Sequence, residues 1–253
     1  RQIAFSRIFT QFVTWGLTAV TIHILHPLDY GLIATAGIFT SFAQLLLDGG
    51  LSDVLIAQQD LSREIQSAAT SWVFIISVFM GAAIFLVAPA GSRFFHEPQL
   101  QLVIEVVSFY LPLVSLDVVP LAILSKRMQF KSIALSQTVS SVLTGLSTLA
   151  VAYAGGGYWA LIFGNFVGAI VRVALLWLSL DKKPLPTLQF GALRPLMRNS
   201  IHMIGQRLSY FSINNADIFL LGRFAGAAQL GEYSVSRNLS YSALNQLAAI
   251  VNQ

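Results

Sequence analysis

The stretch GQRLSYFSINNADIFLLGR, residues 205–223, decides how the rest of the chain is interpreted. It has the length and apolar content of a membrane helix, yet Arg207, Tyr210, Asn214 and Asp217 recur at intervals that place them on one helical face. Arg207 and Asp217 lie about 15 Å apart along a helix, too far to pair with each other. Lipid cannot solvate such a face, which must contact protein or a water-filled cavity. The stretch predicts a membrane transporter with a polar cavity rather than a soluble enzyme.

Composition also indicates a membrane protein. Apolar residues make up 55% of the 253 residues and charged residues 10%, whereas roughly a quarter are charged in a soluble domain. A soluble chain of this length could not bury so large an apolar excess in one core. No cysteine is present, which excludes disulfides and thiolate metal sites. The net charge of +4 comes from basic residues near segment ends, so no nucleic-acid partner is expected.

Hydropathy divides the chain into eight apolar segments, each near the ~20 residues that cross a bilayer. We predict an all-α polytopic membrane protein with a lobe of six transmembrane helices over residues 1–180 and a cytoplasmic loop over residues 181–195. Residues 196–253 would be the first two helices of a second, pseudo-symmetric lobe. The chain begins at Arg1 and ends within an apolar run, so we expect it to be a fragment. Basic residues favour the loops after segments two, four and six by eight to two, which predicts a cytoplasmic N-terminus.

Polar residues also interrupt the earlier segments. Arg7 and Gln11 share a face with three threonines in the first segment, which indicates a hydrated cavity or, alternatively, packing through hydroxyl groups. Gln44 and Asp48 share a face in the second segment, which two glycines interrupt directly after the aspartate. A broken helix beside an acid is a recurrent ion or proton site in transporters. The alternative is that Asp48 bonds backbone groups freed by a kink. Arg172, near the end of the sixth segment, is interpreted as snorkelling toward the membrane surface.

An internal repeat is present at an offset of 200 residues. Gly31 matches Gly231, Arg7 matches Arg207, and residues 27–31 match residues 227–231 as a loop of equal length. Six segments separate the two copies, an even number, so both copies would have the same orientation in the membrane. This predicts a parallel repeat about an axis along the membrane normal.

Three stretches carry a resemblance to a known family: LDYG (28–31), DGGLSDVLI (48–56), and NNADIFLLGRFAG (214–226) followed by LGEYS (230–234). The chain resembles the polysaccharide transporter family, bacterial oligosaccharide flippases of the multidrug/oligosaccharidyl-lipid/polysaccharide exporter superfamily. The resemblance implies two bundles with about 12 to 14 spanning helices in total. It also implies a location in the bacterial cytoplasmic (inner) membrane and an undecaprenyl-pyrophosphate-linked oligosaccharide substrate, moved to the periplasmic leaflet. Such transport would serve O-antigen, exopolysaccharide or capsule synthesis, alongside polymerase and export machinery.

Arginine suits a lipid pyrophosphate because it is always charged and can bond phosphate in a bidentate manner. We expect Arg7 and Arg207, from the two copies, to bind one head group, and Arg237 to bind it nearer the periplasm. Asp48 and Asp217 are candidates for ion coupling. The remaining cavity candidates are polar side chains that could bond sugar hydroxyls, namely Gln11, Gln44, Tyr210, Asn214, Asn215, Tyr241 and Asn245.

No catalytic residue, cofactor or metal is expected. The chain lacks a phosphate-binding glycine loop, and its four histidines lack metal-ligand spacing with acids. Two other functions stay open. A cation-coupled drug antiporter of the same superfamily would favour acids and aromatic residues in its cavity, whereas a scaffold of a polysaccharide synthesis complex would not need polar faces on four helices. A membrane glycosyltransferase is disfavoured because acids do not cluster at a cytoplasmic helix end.

Overall fold

The computed structural model describes residues 15–48, 55, 62–184, 187 and 194–251. The regular structure within these ranges is helical, without a strand. The helices are, in chain order, α1 (Trp15–Ile24), α2 (Pro27–Asp48), α3 (Arg63–Phe95), α4 (Pro98–Ser108), α5 (Tyr110–Lys126), α6 (Phe130–Tyr153), α7 (Tyr158–Leu178), α8 (Arg194–Phe224) and α9 (Ala227–Val251).

Five spans in the described ranges are long and apolar enough to cross a membrane. They are α2, α3, α4 together with α5, α6, and α7. The described part of α1 is apolar but shorter, while α8 and α9 are long enough but contain more polar residues. The prediction of an all-α, polytopic membrane protein is confirmed.

The fourth of the eight predicted segments, residues 100–125, is two helices rather than one. It breaks at Phe109, between α4 and α5. Pro112 explains the position, since a proline has no N–H to donate to the carbonyl four residues earlier, and its ring clashes with that carbonyl. That carbonyl belongs to Ser108, and Gly81 of α3 lies against it so closely that an added Cβ would be 2.9 Å away. Gly81 thus lets α3 approach the break.

Helices α6 and α7 form a closely packed hairpin. A Cβ at Gly164 would overlap the Thr148 hydroxyl, and a Cβ at Gly168 would overlap the Thr144 hydroxyl. Small residues one turn apart let two membrane helices approach in this way. The Thr144 hydroxyl donates to the Ser140 carbonyl of its own helix, 2.8 Å away, so this polar group of the interface is satisfied within α6.

Helices α8 and α9 pack on the preceding bundle through α2. The Phe42 and Phe211 rings are 5.5 Å apart between centroids, and Phe219 contacts Phe95 at the end of α3, with centroids 5.7 Å apart. Gly31 and Gly231 mark the place where α2 and α9 come closest. We call this side of the bundle the Gly31 end. The opposite side, where α5 ends at Lys126, is the Lys126 end.

Candidate functional site

Several of the sequence-predicted site residues cannot be placed. Arg7 and Gln11 lie outside the described residues. Asp48, Tyr241 and Asn245 belong to helices α2 and α9, but their side chains lie outside the part of the chain that the structure describes. Gln44 is half-buried on α2. The roles assigned to these residues remain predictions.

Three of the predicted residues meet between α8 and α9. The Asp217 carboxylate lies 3.5 Å from Arg237 Nε, measured from Oδ2, and the same oxygen accepts a hydrogen bond from the Tyr233 hydroxyl. Arg237 Nη2 donates to the main-chain carbonyl of Asn214. The Arg237 side chain is only 17% exposed. A guanidinium at this depth is stable because a carboxylate neutralises it and a main-chain carbonyl accepts a hydrogen bond from it.

Tyr233 belongs to this cluster but was not predicted from the sequence. It precedes Arg237 by one helical turn, so both side chains project from the same face of α9 toward Asp217. That spacing is visible in the sequence. The direction in which the face points depends on how α9 packs against α8, which the sequence alone does not specify.

The rest of the α8 polar face lies along the helix as its spacing predicts. Arg207 and both asparagines are half-buried, whereas the Tyr210 side chain is exposed. The Asn214 and Asn215 amide nitrogens donate to main-chain carbonyls one turn earlier in α8, at 2.8 and 2.9 Å. Their amide oxygens keep the capacity to accept a hydrogen bond from a ligand.

An apolar groove lies beside this polar face, between α2, α3 and α8. Its volume is about 440 Å³. Its main lining residues are Phe39, Phe42, Met80, Ile84, Phe211 and Phe219. The polar and apolar surfaces of α8 therefore adjoin, which is an arrangement suited to an amphipathic molecule.

A second charged cluster, which the sequence analysis did not predict, joins α5, α6 and α7. Arg172 Nε lies 3.0 Å from Asp117 Oδ2, and Arg172 Nη1 donates to Gln137 Oε1 at 2.6 Å. Gln137 Nε2 in turn donates to the Ser141 hydroxyl at 3.2 Å. The interpretation of Arg172 as a snorkelling residue is wrong, because its guanidinium is held by an acid and an amide of two neighbouring helices.

Three cavities share Asn165 as a lining residue, and one of them is also lined by Asp117, Gln137 and Arg172 of this second cluster. Each has a volume of about 160 Å³. We call them together the polar crevice. Its polar lining side chains come from five helices and are Thr18, Thr21, Tyr30, Thr40, Tyr110, Asp117, Gln137, Ser140, Ser141, Thr144, Thr148, Asn165 and Arg172.

The Tyr30 hydroxyl in the crevice is unpaired within the part of the chain that the structure describes. The Tyr30 hydroxyl oxygen is buried, and no partner for it exists among the described residues. Buried polar atoms are nearly always hydrogen-bonded. This unpaired hydroxyl therefore has capacity for a bond to a ligand or solvent molecule.

Comparison with known proteins identifies the family. A family model described as "Polysaccharide biosynthesis protein" matches residues 4–253. The succinoglycan biosynthesis transport protein ExoT of Rhizobium meliloti is 26% identical over 244 residues, which are 95% of this chain and 48% of ExoT. The lipopolysaccharide biosynthesis protein WzxC of Escherichia coli is 22% identical, over 89% of this chain and 46% of WzxC. The teichuronic acid biosynthesis protein TuaB of Bacillus subtilis is 24% identical, over 78% of this chain and 41% of TuaB.

The chain thus spans about half the length of the curated relatives it matches. No solved structure matches it. The family match covers nearly every residue, and the helices described above supply the multi-pass membrane architecture. The chain belongs to the polysaccharide biosynthesis protein family, whose relatives include a polysaccharide transport protein.

Proposed function

We propose that the chain is part of a flippase for undecaprenyl-pyrophosphate-linked oligosaccharides, acting in the bacterial inner membrane. In this proposal residues 1–180 form one lobe, residues 181–195 a cytoplasmic connection, and residues 196–253 the start of a second lobe. The Lys126 end faces the cytoplasm because the basic loops lie there. The substrate moves from the cytoplasmic to the periplasmic leaflet.

The observation that carries the proposal is the charged cluster of Asp217, Tyr233 and Arg237 in two helices of a membrane protein. Ionisable groups inside a membrane are costly, and they occur where a protein moves or binds charged molecules. Apolar side chains could hold the two helices together without the desolvation free energy that a buried ion pair requires. The cluster thus supports a path for a charged group between α8 and α9.

The chemistry of the cluster fits a pyrophosphate. Arg237 is neutralised by Asp217 across an ion pair of 3.5 Å, a distance longer than a close charge-assisted hydrogen bond. A pyrophosphate oxygen could replace the carboxylate as the partner of Arg237 and offers more acceptor positions than Asp217 does. The displaced carboxylate would then be able to take up a proton or a cation. This exchange would couple substrate binding to the ion-binding role expected for Asp217.

The neighbouring apolar groove supports the lipid part of the substrate. A polyprenyl chain is a branched hydrocarbon, and the groove is lined by phenylalanine and aliphatic side chains beside the polar face of α8. The same groove also favours the second candidate function, a cation-coupled drug antiporter of the same superfamily. The two functions differ in the role of the arginines, because a drug without a negative charge gains no ion pair with Arg207 or Arg237.

Complementation of a flippase-null strain with the full-length protein distinguishes the flippase function from the antiporter function. We expect Arg207→Ala to stop polymer export at normal membrane levels, and Arg207→Lys to keep partial activity because it keeps the charge but loses the planar fork. Lys183→Ala, in the exposed stretch after α7, is the matched control and should export normally. Full export by Arg207→Ala, accompanied by drug resistance that depends on Asp217, would favour the antiporter.

A further inference from the structure

We propose that the polar crevice between α1, α2, α5, α6 and α7 binds an uncharged sugar ring of the transported oligosaccharide. This inference rests on the proposed flippase function and adds a second subsite to it. The pyrophosphate would bind between α8 and α9, and the sugar in the crevice, so that different helices recognise the two parts of one substrate.

The crevice must face water or a polar ligand. Gln137 and Asn165 are exposed, although both lie within helices that are apolar enough to span the membrane. Lipid offers no hydrogen bonds to an amide, so a side chain of this kind does not face the hydrocarbon. Asn165 is the lining residue common to all three cavities, which makes it the centre of the crevice.

The lining groups match a polyhydroxyl ligand. A sugar hydroxyl both donates and accepts, and the Asn165 amide can do the same. The Thr144 hydroxyl donates a hydrogen bond to the Ser140 carbonyl, so the Thr144 oxygen is still able to accept one. The Tyr30 hydroxyl is buried with no partner among the described residues, and it can serve as a hydrogen-bond donor or acceptor. The crevice therefore offers donors and acceptors at short intervals, as a sugar ring requires.

The charge of the crevice favours an uncharged ligand. Asp117 and Arg172 are the charged side chains among its described lining residues; they line one of the three cavities and neutralise each other across 3.0 Å. A free phosphate would have to compete with Asp117 for Arg172, and a metal cation would be repelled by Arg172. A hydroxyl group can bond to either member of the pair without breaking it. The planar carboxylate and guanidinium present fixed acceptors and donors for such a group.

The size and rigidity of the crevice indicate that it binds one sugar ring at a time. Each cavity of about 160 Å³ is smaller than the ~300–1,000 Å³ typical of pockets for larger ligands. The close packing of Gly164 and Gly168 against α6 holds two of the lining helices at a fixed distance. The Tyr110 ring, which lines two of the cavities, is held by an edge-on contact with Phe166 at 5.4 Å between centroids. A preorganised site of this kind loses little entropy when it binds.

Isothermal titration calorimetry on the purified full-length protein tests the proposal with two probes. One probe is the oligosaccharide of the producing strain, released from its lipid carrier so that it contains no phosphate. The other probe is inorganic pyrophosphate. We expect Asn165→Ala and Ser141→Ala each to weaken oligosaccharide binding by about tenfold and to leave pyrophosphate binding unchanged. Ser147→Ala, on α6 but outside the crevice, is the matched control and should bind both probes normally.

The outcomes separate the two proposals. Oligosaccharide binding that survives both crevice variants, while Arg237→Ala weakens it, would assign the sugar site to α8 and α9 and overturn the crevice proposal alone. A wild-type protein that binds neither probe would contradict the flippase function, and the crevice proposal with it. Thermal unfolding of each variant, followed by tryptophan fluorescence, shows whether it is folded, and the second crevice variant keeps the test decisive if one is not.

Discussion

Gly31 of α2 and Gly231 of α9 make a reciprocal contact at the offset of the internal repeat. A Cβ at Gly31 would overlap the Ala227 carbonyl, and a Cβ at Gly231 would overlap the Pro27 carbonyl. The two contacts are equivalent under the 200-residue offset, because Gly31 corresponds to Gly231 and Ala227 corresponds to Pro27. This geometry is what a two-fold axis between the copies would produce, and it holds α2 and α9 together at the Gly31 end.

We predict that Gly31→Ala and Gly231→Ala both force α2 and α9 apart. Overpacking of a close contact typically costs about 1–3 kcal/mol, and here the obstacle is main chain, which cannot rotate away. We expect a lower unfolding temperature by fluorescence for both variants of the full-length protein. Gly205→Ala is the control, because nothing lies within 4 Å of a Cβ there. Equal unfolding temperatures for all three variants would show that the close contact of α2 with α9 does not contribute to the free energy of unfolding.

A second prediction concerns the pair of Asp117 and Arg172. The Asp117 and Arg172 side chains are only 13% and 31% exposed, so Arg172→Ala removes the opposite charge beside a poorly solvated carboxylate. Loss of one member of a buried pair costs roughly 3–5 kcal/mol. We expect Arg172→Ala to reduce the amount of folded protein in the membrane, measured by detergent extraction and size-exclusion chromatography.

The pair of Arg127 and Asp181 supplies the matched control for that experiment. Its atoms are 3.4 Å apart, and the side chains are 39% and 79% exposed. Exposed pairs contribute only about 0–1 kcal/mol. Arg127→Ala should therefore yield as much folded protein as the wild type. Similar losses of folded protein in both variants would mean that the pair of Asp117 and Arg172 contributes no more to stability than an exposed pair does.

A third prediction separates stability from function in the cluster of Asp217, Tyr233 and Arg237. Asp217→Asn leaves Arg237 charged without its carboxylate, so we expect low membrane levels for this variant. The double variant Asp217→Asn with Arg237→Gln removes both charges and should recover the protein level, measured by immunoblot, without recovering polymer export. Export by the double variant at wild-type rates would show that neither charge takes part in transport.

A fourth prediction tests which end faces the cytoplasm. The 253 residues contain no cysteine, so single cysteines introduced here are unique within this region. Cysteines replacing Lys126 and Lys183 should resist an impermeant thiol reagent added to intact cells, whereas one replacing Gly156 in the turn between α6 and α7 should react. The reverse labelling pattern would contradict the proposed orientation.

The sequence predicts the helical architecture well because bilayer length and backbone hydrogen bonding leave few alternatives. The 200-residue offset pairs Gly31 with Gly231, and both glycines lie where a side chain would overlap the neighbouring main chain, whereas the repeat itself stays a prediction. The sequence analysis does not predict the break at Phe109, although Pro112 is visible, because hydropathy alone makes residues 100–125 one continuous segment.

The side-chain partners are harder to predict, because they depend on helix packing. Asp117 and Arg172 are far apart in sequence, and only the packing of α5 beside α7 brings them together. The same applies to Asp217, whose partner is Arg237 of the next helix. Sequence periodicity gives the face on which such a residue lies, but it does not give the neighbour that this face meets.

The most direct test of the flippase proposal is a transport measurement on the full-length protein in proteoliposomes. These vesicles would carry a fluorescently labelled, undecaprenyl-pyrophosphate-linked oligosaccharide, and a membrane-impermeant quencher would report the fraction in the outer leaflet over time. We predict exchange between the leaflets with the wild-type protein, and exchange reduced to the rate of protein-free vesicles with the double variant of Asp217 and Arg237. Exchange that is no faster with the wild-type protein than in protein-free vesicles, across imposed proton and sodium gradients, would contradict the proposed function.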